Sequence, residues 1–436
     1  MVGRRPDAPF RAWTAPLWED RPMRQDLDRL MQQRGLAGMV VFAYDRYSPA
    51  MYYATGQKIH LGTYFRAPGS GPGGAARAHL IHDPMERDQA AQVGCDHSSF
   101  AQHGLVRLLE SEGSPARAHA RLIAETCETL GIAGRIACFG DLAAGFAHAL
   151  LARVVELNPA LSVDHEHPDI LTEARTTKDA AEVEAIRRAA RGAVAAIEKL
   201  RAFLGSLARA GDQFRANGSG PVRLGDLRRL LRAEFLEHGL AEEGGESIVS
   251  QGRDAGVPHN RGNDDEPLRA GAPLLVDIFP GESGGGYHSD LTRTFCLGPA
   301  PAPLEQLYGD VKTAFETAIG SLAVGEPCRS YQERVCEVFE RRGHATLRTN
   351  ETAQEGYVHG LGHGVGLAVH EAPRLGGPPS NTQRLEPGMV ITVEPGLYYP
   401  SRGLGARIED LVLVRPDGRF ENLTPVPYDL VIEPRG

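Results

Sequence analysis

Apolar residues at helical spacing alternate along this chain with short continuous apolar runs, an order that predicts mixed helix and strand throughout. An amphipathic helix is predicted around Met23 to Arg34, closed by Gly35, and the run Gly38 to Tyr44 (GMVVFAY) reads as a strand. Residues 67–76 (APGSGPGGAA) form a Gly/Pro-rich breaker, expected as an exposed loop or arm, after which mixed helix and strand resumes to about residue 170. From Thr177 to Ile197 the pattern becomes clearly helical. Asp179 is the expected N-cap, Glu182 lies three residues on, and Val183, Ile186, Ala190, Val194 and Ile197 share one face. Further helices are predicted at Leu224 to His238, Leu304 to Ala323 and Ser330 to Arg341, separated by apolar strand-like runs. The pattern divides the chain near residue 175 into domains of 1–174 and 175–436, the second of class α+β, with no internal repeat.

Composition narrows the class of function. Of 436 residues, 42% are hydrophobic and 24% charged, as in ordinary globular proteins. A formal net charge of −9 gives no reason to expect nucleic-acid or anionic-membrane partners. Six cysteines without a CxxC pair suit free thiols in a reducing compartment, and the N-terminus has two arginines but no apolar run behind them. No segment approaches the ~20 apolar residues of a membrane span. A cytoplasmic protein acting on small molecules or peptides is expected.

The chemistry is in acidic residues placed within apolar runs: Asp277 in LLVDIF, Glu394 in VITVEPG and Glu409 in ARIEDLVLV. A buried, isolated carboxylate costs several kcal/mol, so these positions call for compensating cations. Asp290 follows Asp277 across the stretch GESGGGYHSD and opens DLTRTFCL, so a β-hairpin is expected to bring the two acids face to face. Histidines are supplied by His359, His363 and His370, among alternating glycines that favour turn and strand over helix. Four carboxylates and one imidazole suit a pair of divalent ions, with manganese first and cobalt, zinc and iron as alternatives. Two such ions balance four negative ligands, and a hydroxide between them would be the hydrolytic nucleophile. The GESGGG stretch reads as a flexible turn rather than a phosphate cradle, since no P-loop lysine follows. His60, His79, His82, His165 and His167 are scattered without ligand partners and read as ordinary surface or structural residues.

From about residue 175 to 430 these motifs resemble the M24 metallopeptidases, whose pita-bread fold occurs in methionine aminopeptidase, aminopeptidase P and prolidase. The resemblance implies a pita-bread catalytic domain behind a smaller, creatinase-like α/β domain that serves oligomerisation and capping of the active site. It implies that Asp290 and Glu409 bridge two ions, that Asp277 binds one, and that His363 and Glu394 bind the other. It further implies that His259 (VPHNRGN) and His370 (VHEAP) line the substrate pocket and handle the carbonyl or the leaving nitrogen. Arg407 orients the acids, while His359 and Tyr398 contribute to the pocket. Thirteen positions separate Asp277 from Asp290, two more than is usual in the family, which enlarges the hairpin tip.

An N-terminal domain of this length is typical of the proline-directed branch. Prolidase, cleaving Xaa-Pro dipeptides, is the favoured reading. Aminopeptidase P, acting on longer Xaa-Pro peptides, is the alternative, followed by a peptide-binding module without catalysis and a creatinase-like amide hydrolase. A dipeptide enzyme needs a cation for the free proline carboxylate, and Arg374 (HEAPRLGG) and Arg46 (AYDRYSP) are the candidates. The resemblance also implies a homodimer, with residues 67–76 as one candidate contact.

Overall fold

The run GMVVFAY is apolar at every position because both of its faces are covered. In the computed structural model, Gly38–Tyr44 is a central strand of a six-stranded mixed sheet, third from one edge and fourth from the other. It pairs antiparallel with Leu61–Ala67 and parallel with Gly134–Phe139. Met39, Val41 and Ala43 enter one apolar cluster, whereas Val40 and Phe42 enter another against helices Pro115–Thr129 and Ala144–Leu157, the period-two alternation of a strand. The first of these clusters continues into the second half of the chain through Tyr287, Val365, Leu367, Val390, Leu411 and Leu413.

The structure describes residues 25–44, 46–69, 76–166, 170–216 and 220–435. The start of the predicted helix at Met23, the Asp45 neighbour of Arg46, residues 70–75 of the Gly/Pro-rich breaker and His167 lie outside these. The breaker joins the antiparallel strands Leu61–Ala67 and Arg77–His82. Among the described residues, no helix is long and apolar enough to cross a membrane.

The second half begins with helix Ala180–Ser206, which extends nine residues beyond the predicted Ile197. Its capping box is complete: Asp179 accepts from the Glu182 amide at 2.8 Å, and Glu182 accepts from the Asp179 amide at 2.9 Å. This helix and Leu224–Glu237 back a four-stranded sheet of Ile248–Gln251, Pro273–Ile278, Leu291–Leu297 and Val431–Ile432. Helices Ala302–Gly320 and Cys328–Arg341 back a five-stranded sheet in the order Glu371–Arg374, His363–Gly364, Val390–Val393, Asp410–Val414 and Phe420–Asn422. The two sheets touch where Glu409 bridges to Thr292, its amide donating to the Thr292 carbonyl at 3.1 Å. Two helix-backed sheets joined at that edge form the pita-bread architecture, and they leave their inner faces to build a site.

Several histidines of the first half bond to one another or to a shared serine. Parallel pairing of Arg77–His82 with Asp96–Ser99 brings His82 Nε2 within 3.2 Å of His97 Nδ1, and Ser98 Oγ lies 2.7 Å from both His79 Nε2 and His103 Nε2. The GESGGG tip is a turn, but a packed one. Lys58 Nζ donates to the Ser283 carbonyl at 3.0 Å, and the ring of Tyr47 occupies the space a Cβ on Gly285 would fill, at 2.3 Å.

Candidate metal centre

Only Asp277 lies inside a strand. Asp290 immediately precedes Leu291–Leu297, Glu394 immediately follows Val390–Val393, and Glu409 sits between Leu404–Arg407 and Asp410–Val414. Asp277, Glu394 and Glu409 were expected within strands, and Asp290 at the opening of one; Glu394 and Glu409 stand instead where the ladder ends and the backbone can turn a side chain inward. Nor do Asp277 and Asp290 pair directly. Asp277 is opposite Thr292, so Asp290, two residues earlier, projects from the same face one step along.

Asp290, His363 and Glu409 are buried, with ligand-type atoms all within 4.8 Å of one another. His363 Nε2 lies 3.3 Å from Glu394 Oε1 and 3.7 Å from Asp290 Oδ2. Arg407 is bonded to Asp277 Oδ2, while Asp277 Oδ1 is buried with no partner among the described residues. Burial, then Glu409, Asp277 and Glu394, hold Asp290 well above the ordinary carboxylate range. Burial, then Glu394 and Asp277, do the same to Glu409. Burial also pushes Glu394 upward, but the His363 hydrogen bond and the charges of His363, His359 and Arg407 outweigh it and bring this carboxyl down to about 2. Crowded carboxylates, an adjacent imidazole and an orphaned carboxylate oxygen form an oxygen-rich donor set that fits divalent cations.

Hydroxyls absent from the sequence reading support these groups. Thr292 Oγ1 donates to Glu409 Oε2 at 2.6 Å and accepts from Arg407 Nε at 3.1 Å; Thr392 Oγ1 accepts from the His363 amide at 3.0 Å. A threonine inside an apolar strand was the available signal, and its partners are more than a hundred residues away in two of these three bonds. Tyr398 is buried, its hydroxyl 2.8 Å from Arg407 Nη1 and 2.9 Å from His359 Nε2. Arg407, Tyr398 and His359 therefore form one hydrogen-bonded line leading away from Asp277.

The His370 ring meets that of His363 at a centroid separation of 4.4 Å. Burial, then the positive neighbours His363 and Arg374, bring His370 down to about 4. His259 is exposed and acts electrostatically on both His359 and His370, so three imidazoles surround the acids. Arg374 is paired through its Cα with His363, and its exposed side chain makes no ion pair among the described residues. Arg46 is exposed in the loop that packs on the hairpin tip, and no described contact brings it to the acids.

Behind His370, Glu371 is buried between Lys178 Nζ, at 3.1 Å, and the Arg175 guanidinium. Burial alone would raise this carboxyl; Lys178 and Arg175 outweigh it and hold it at about 2, against an ordinary value of 4.5. A depressed folded-state pKa stabilises the fold above pH 4.5, and that contribution is lost as the pH falls towards 2. Its full size is on the order of 3 kcal/mol. Urea unfolding of Glu371→Gln between pH 3 and 6 is expected to show a flatter pH dependence than wild type, and identical slopes would contradict this assignment.

The fold and this donor set define a pita-bread protein with a buried site for divalent metal. The chain belongs to metallopeptidase family M24, whose sequence profile matches residues 184–416. It is similar to the probable dipeptidase PepE of Mycobacterium tuberculosis, with 32% identity over 269 residues, or 61% of this chain and 63% of that protein. It is also similar to the Xaa-Pro dipeptidase of Pyrococcus furiosus, with 30% identity over 202 residues, or 46% of this chain and 53% of that one. The matches thus span less than two thirds of these relatives' length. In fold, the chain is similar to a dipeptidase from Pyrococcus horikoshii (TM-score 0.72, 24% identity, 93% of this chain and 99% of the other). An Xaa-Pro dipeptidase from Bacillus anthracis gives TM-score 0.73 and 23% identity over 94% of this chain and 99% of the other.

Proposed function

We propose that this protein hydrolyses the Xaa-Pro peptide bond with two divalent ions, acting preferentially on dipeptides. The observation that carries the reading is the buried cluster of four acids with His363, in which Asp290 and Glu409 repel each other and Asp277 Oδ1 has no partner. Asp290 and Glu409 would hold both ions, Asp277 one, and His363 with Glu394 the other. When bound, the ions supply Lewis acidity for the scissile carbonyl and acidify the attacking water. Arg407 orients Asp277 and passes that restraint to Tyr398 and His359. His259 and His370 offer imidazole nitrogens to the carbonyl oxygen and the prolyl nitrogen. Arg374, a cation without an ion-pair partner in the described structure and electrostatically coupled to His370, would take the free proline carboxylate.

The same reading divides the chain near residue 175 into a capping domain and a catalytic domain, and takes the protein as a cytoplasmic homodimer with manganese as the native metal. The test is hydrolysis of Met-Pro beside Met-Pro-Gly by metal-free protein reconstituted with Mn²⁺, Co²⁺ or Zn²⁺, compared as kcat/KM. Preference for Met-Pro is expected. Preference for the tripeptide would instead make the enzyme an aminopeptidase P, and failure to cleave either peptide would leave a binding module. Losing a charge-assisted hydrogen bond costs about 1.5–3 kcal/mol, so Arg374→Ala should lower kcat/KM for Met-Pro about 10- to 100-fold more than for Met-Pro-Gly. Arg46, which no described contact brings to the acids, is the other candidate, and Arg46→Ala is expected to change the two rates in parallel. Equal losses with Arg374→Ala would remove it from length selection.

A further inference from the structure

We propose that Glu371, clamped by Arg175 and Lys178, is a positioning residue that fixes His370 beside the metal ligands, so that the segment joining the two halves of the chain sets the geometry of a substrate-binding histidine. The inference rests on the role given above to His370.

The segment around Arg175 and Lys178 is anchored on both sides. Tyr53, from the first half, donates its hydroxyl to the Ala174 carbonyl at 3.0 Å, and the Lys178 amide donates to the Gly388 carbonyl at 2.8 Å. From this fixed base both cations reach one carboxylate nearly 200 residues away, whose side chain is 1% exposed. That carboxylate also closes the turn preceding it in the chain. Glu371 Oε1 accepts from the Ala368 amide at 3.0 Å, and a Cβ on Gly366 would stand 2.5 Å from Oε2, so the loop is drawn tightly over the carboxyl group. The Gly366 carbonyl is held in turn by the His288 amide at 2.9 Å. His370 leaves this closed turn immediately before Glu371, and its ring lies on His363.

A buried ion pair is a weak source of net stability, because desolvation of the charges offsets much of their attraction. Lys178 also acts electrostatically on the buried Glu182, so the pair is one part of a wider charge cluster. Its geometric result is specific: bonds from Arg175, Lys178 and the Ala368 amide fix the Glu371 carboxylate, on the residue next to the imidazole. A displacement of about 1 Å in a substrate-positioning group is enough to cost on the order of 10²-fold in rate.

The test is a double-mutant cycle on Met-Pro hydrolysis with Glu371→Gln, His370→Ala and the pair, in metal-loaded protein. Hydrogen exchange of the metal-free proteins gives a readout independent of activity. Glu371→Gln is expected to lower kcat about 10- to 100-fold with a smaller change in KM, and to speed exchange of the Ala368 amide. In the His370→Ala background, the same substitution should change kcat/KM less than about twofold, because the group it positions is gone. Multiplicative losses in the double variant, or a Glu371→Gln enzyme with wild-type kcat, would overturn the proposal. Lys178→Met, which leaves Arg175 on the carboxylate, is the second probe if Glu371→Gln does not fold, with the same non-additivity expected. If His370→Ala alone keeps wild-type kcat/KM, it is the functional reading of His370 that fails, and this inference falls with it; that outcome is distinct from additivity.

Discussion

Asp290→Asn is expected to abolish metal binding and turnover together, while raising the melting temperature of the metal-free protein. The two effects have one electrostatic cause. Asp290 is buried among Glu409, Asp277 and Glu394, and its carboxyl is held well above the ordinary range by burial and then by those charges. A raised pKa means that the ionised group destabilises the fold at neutral pH unless cations compensate it. The amide keeps the shape and removes one of four negative charges, so the empty fold gains. The loaded centre would lose a residue proposed to hold both ions. A rate loss of at least about 10³-fold is expected, beyond the 10- to 100-fold typical of residues standing behind ligands. Metal content by mass spectrometry, calorimetry of the metal-free protein and kcat/KM together check it. A variant with full metal content and normal rate would exclude Asp290 from the centre; an unchanged or lower melting temperature would contradict the repulsion argument. Glu409→Gln is expected to behave alike, since the same physical causes raise its carboxyl.

Arg293→Met should produce the largest loss of stability of any single substitution considered. Arg293 is fully buried. It donates to Asp410 Oδ1 at 2.6 Å and to the carbonyls of Thr292, Glu409, Val426 and Thr424 at 2.9, 2.7, 2.8 and 3.4 Å, with its guanidinium 4.6 Å from the Tyr428 ring centroid. Methionine fills comparable space but leaves Asp410, itself fully buried, and four carbonyls without this partner. Breaking a buried pair from one side costs about 3–5 kcal/mol. Urea unfolding measures this directly, and a loss below about 1 kcal/mol would show that Asp410 is satisfied without Arg293. Lysine should rescue poorly, since one ammonium cannot match the planar fork that reaches five oxygens. Because two of those oxygens belong to Thr292 and Glu409, weakened metal binding should accompany the loss.

Local rules explain what could be seen along the chain. The Asp179–Glu182 capping box and the apolar face from Val183 to Ile197 needed only neighbours within a few turns, so that helix was predictable, though its continuation to Ser206 depended on packing against the four-stranded sheet. The acids Asp277, Asp290, Glu394 and Glu409 were conspicuous because charge in an apolar run is expensive wherever the run is buried. The sequence by itself therefore determined the class of fold, the order of the acidic and histidine motifs and the need for cations among them.

Register, strand ends and long-range partners belong to the tertiary structure. A hairpin could be inferred from the Gly-rich stretch, but not that Asp277 would stand opposite Thr292, nor that Glu394 and Glu409 would lie just outside their strands. Nothing near Lys178 and Arg175 announces Glu371, and nothing near His82 announces His97 as its ring partner. Such pairs are chosen by which surfaces close on one another. The energy of a buried charge can be anticipated from its neighbours in sequence; the group that compensates it is decided only when distant strands are brought together.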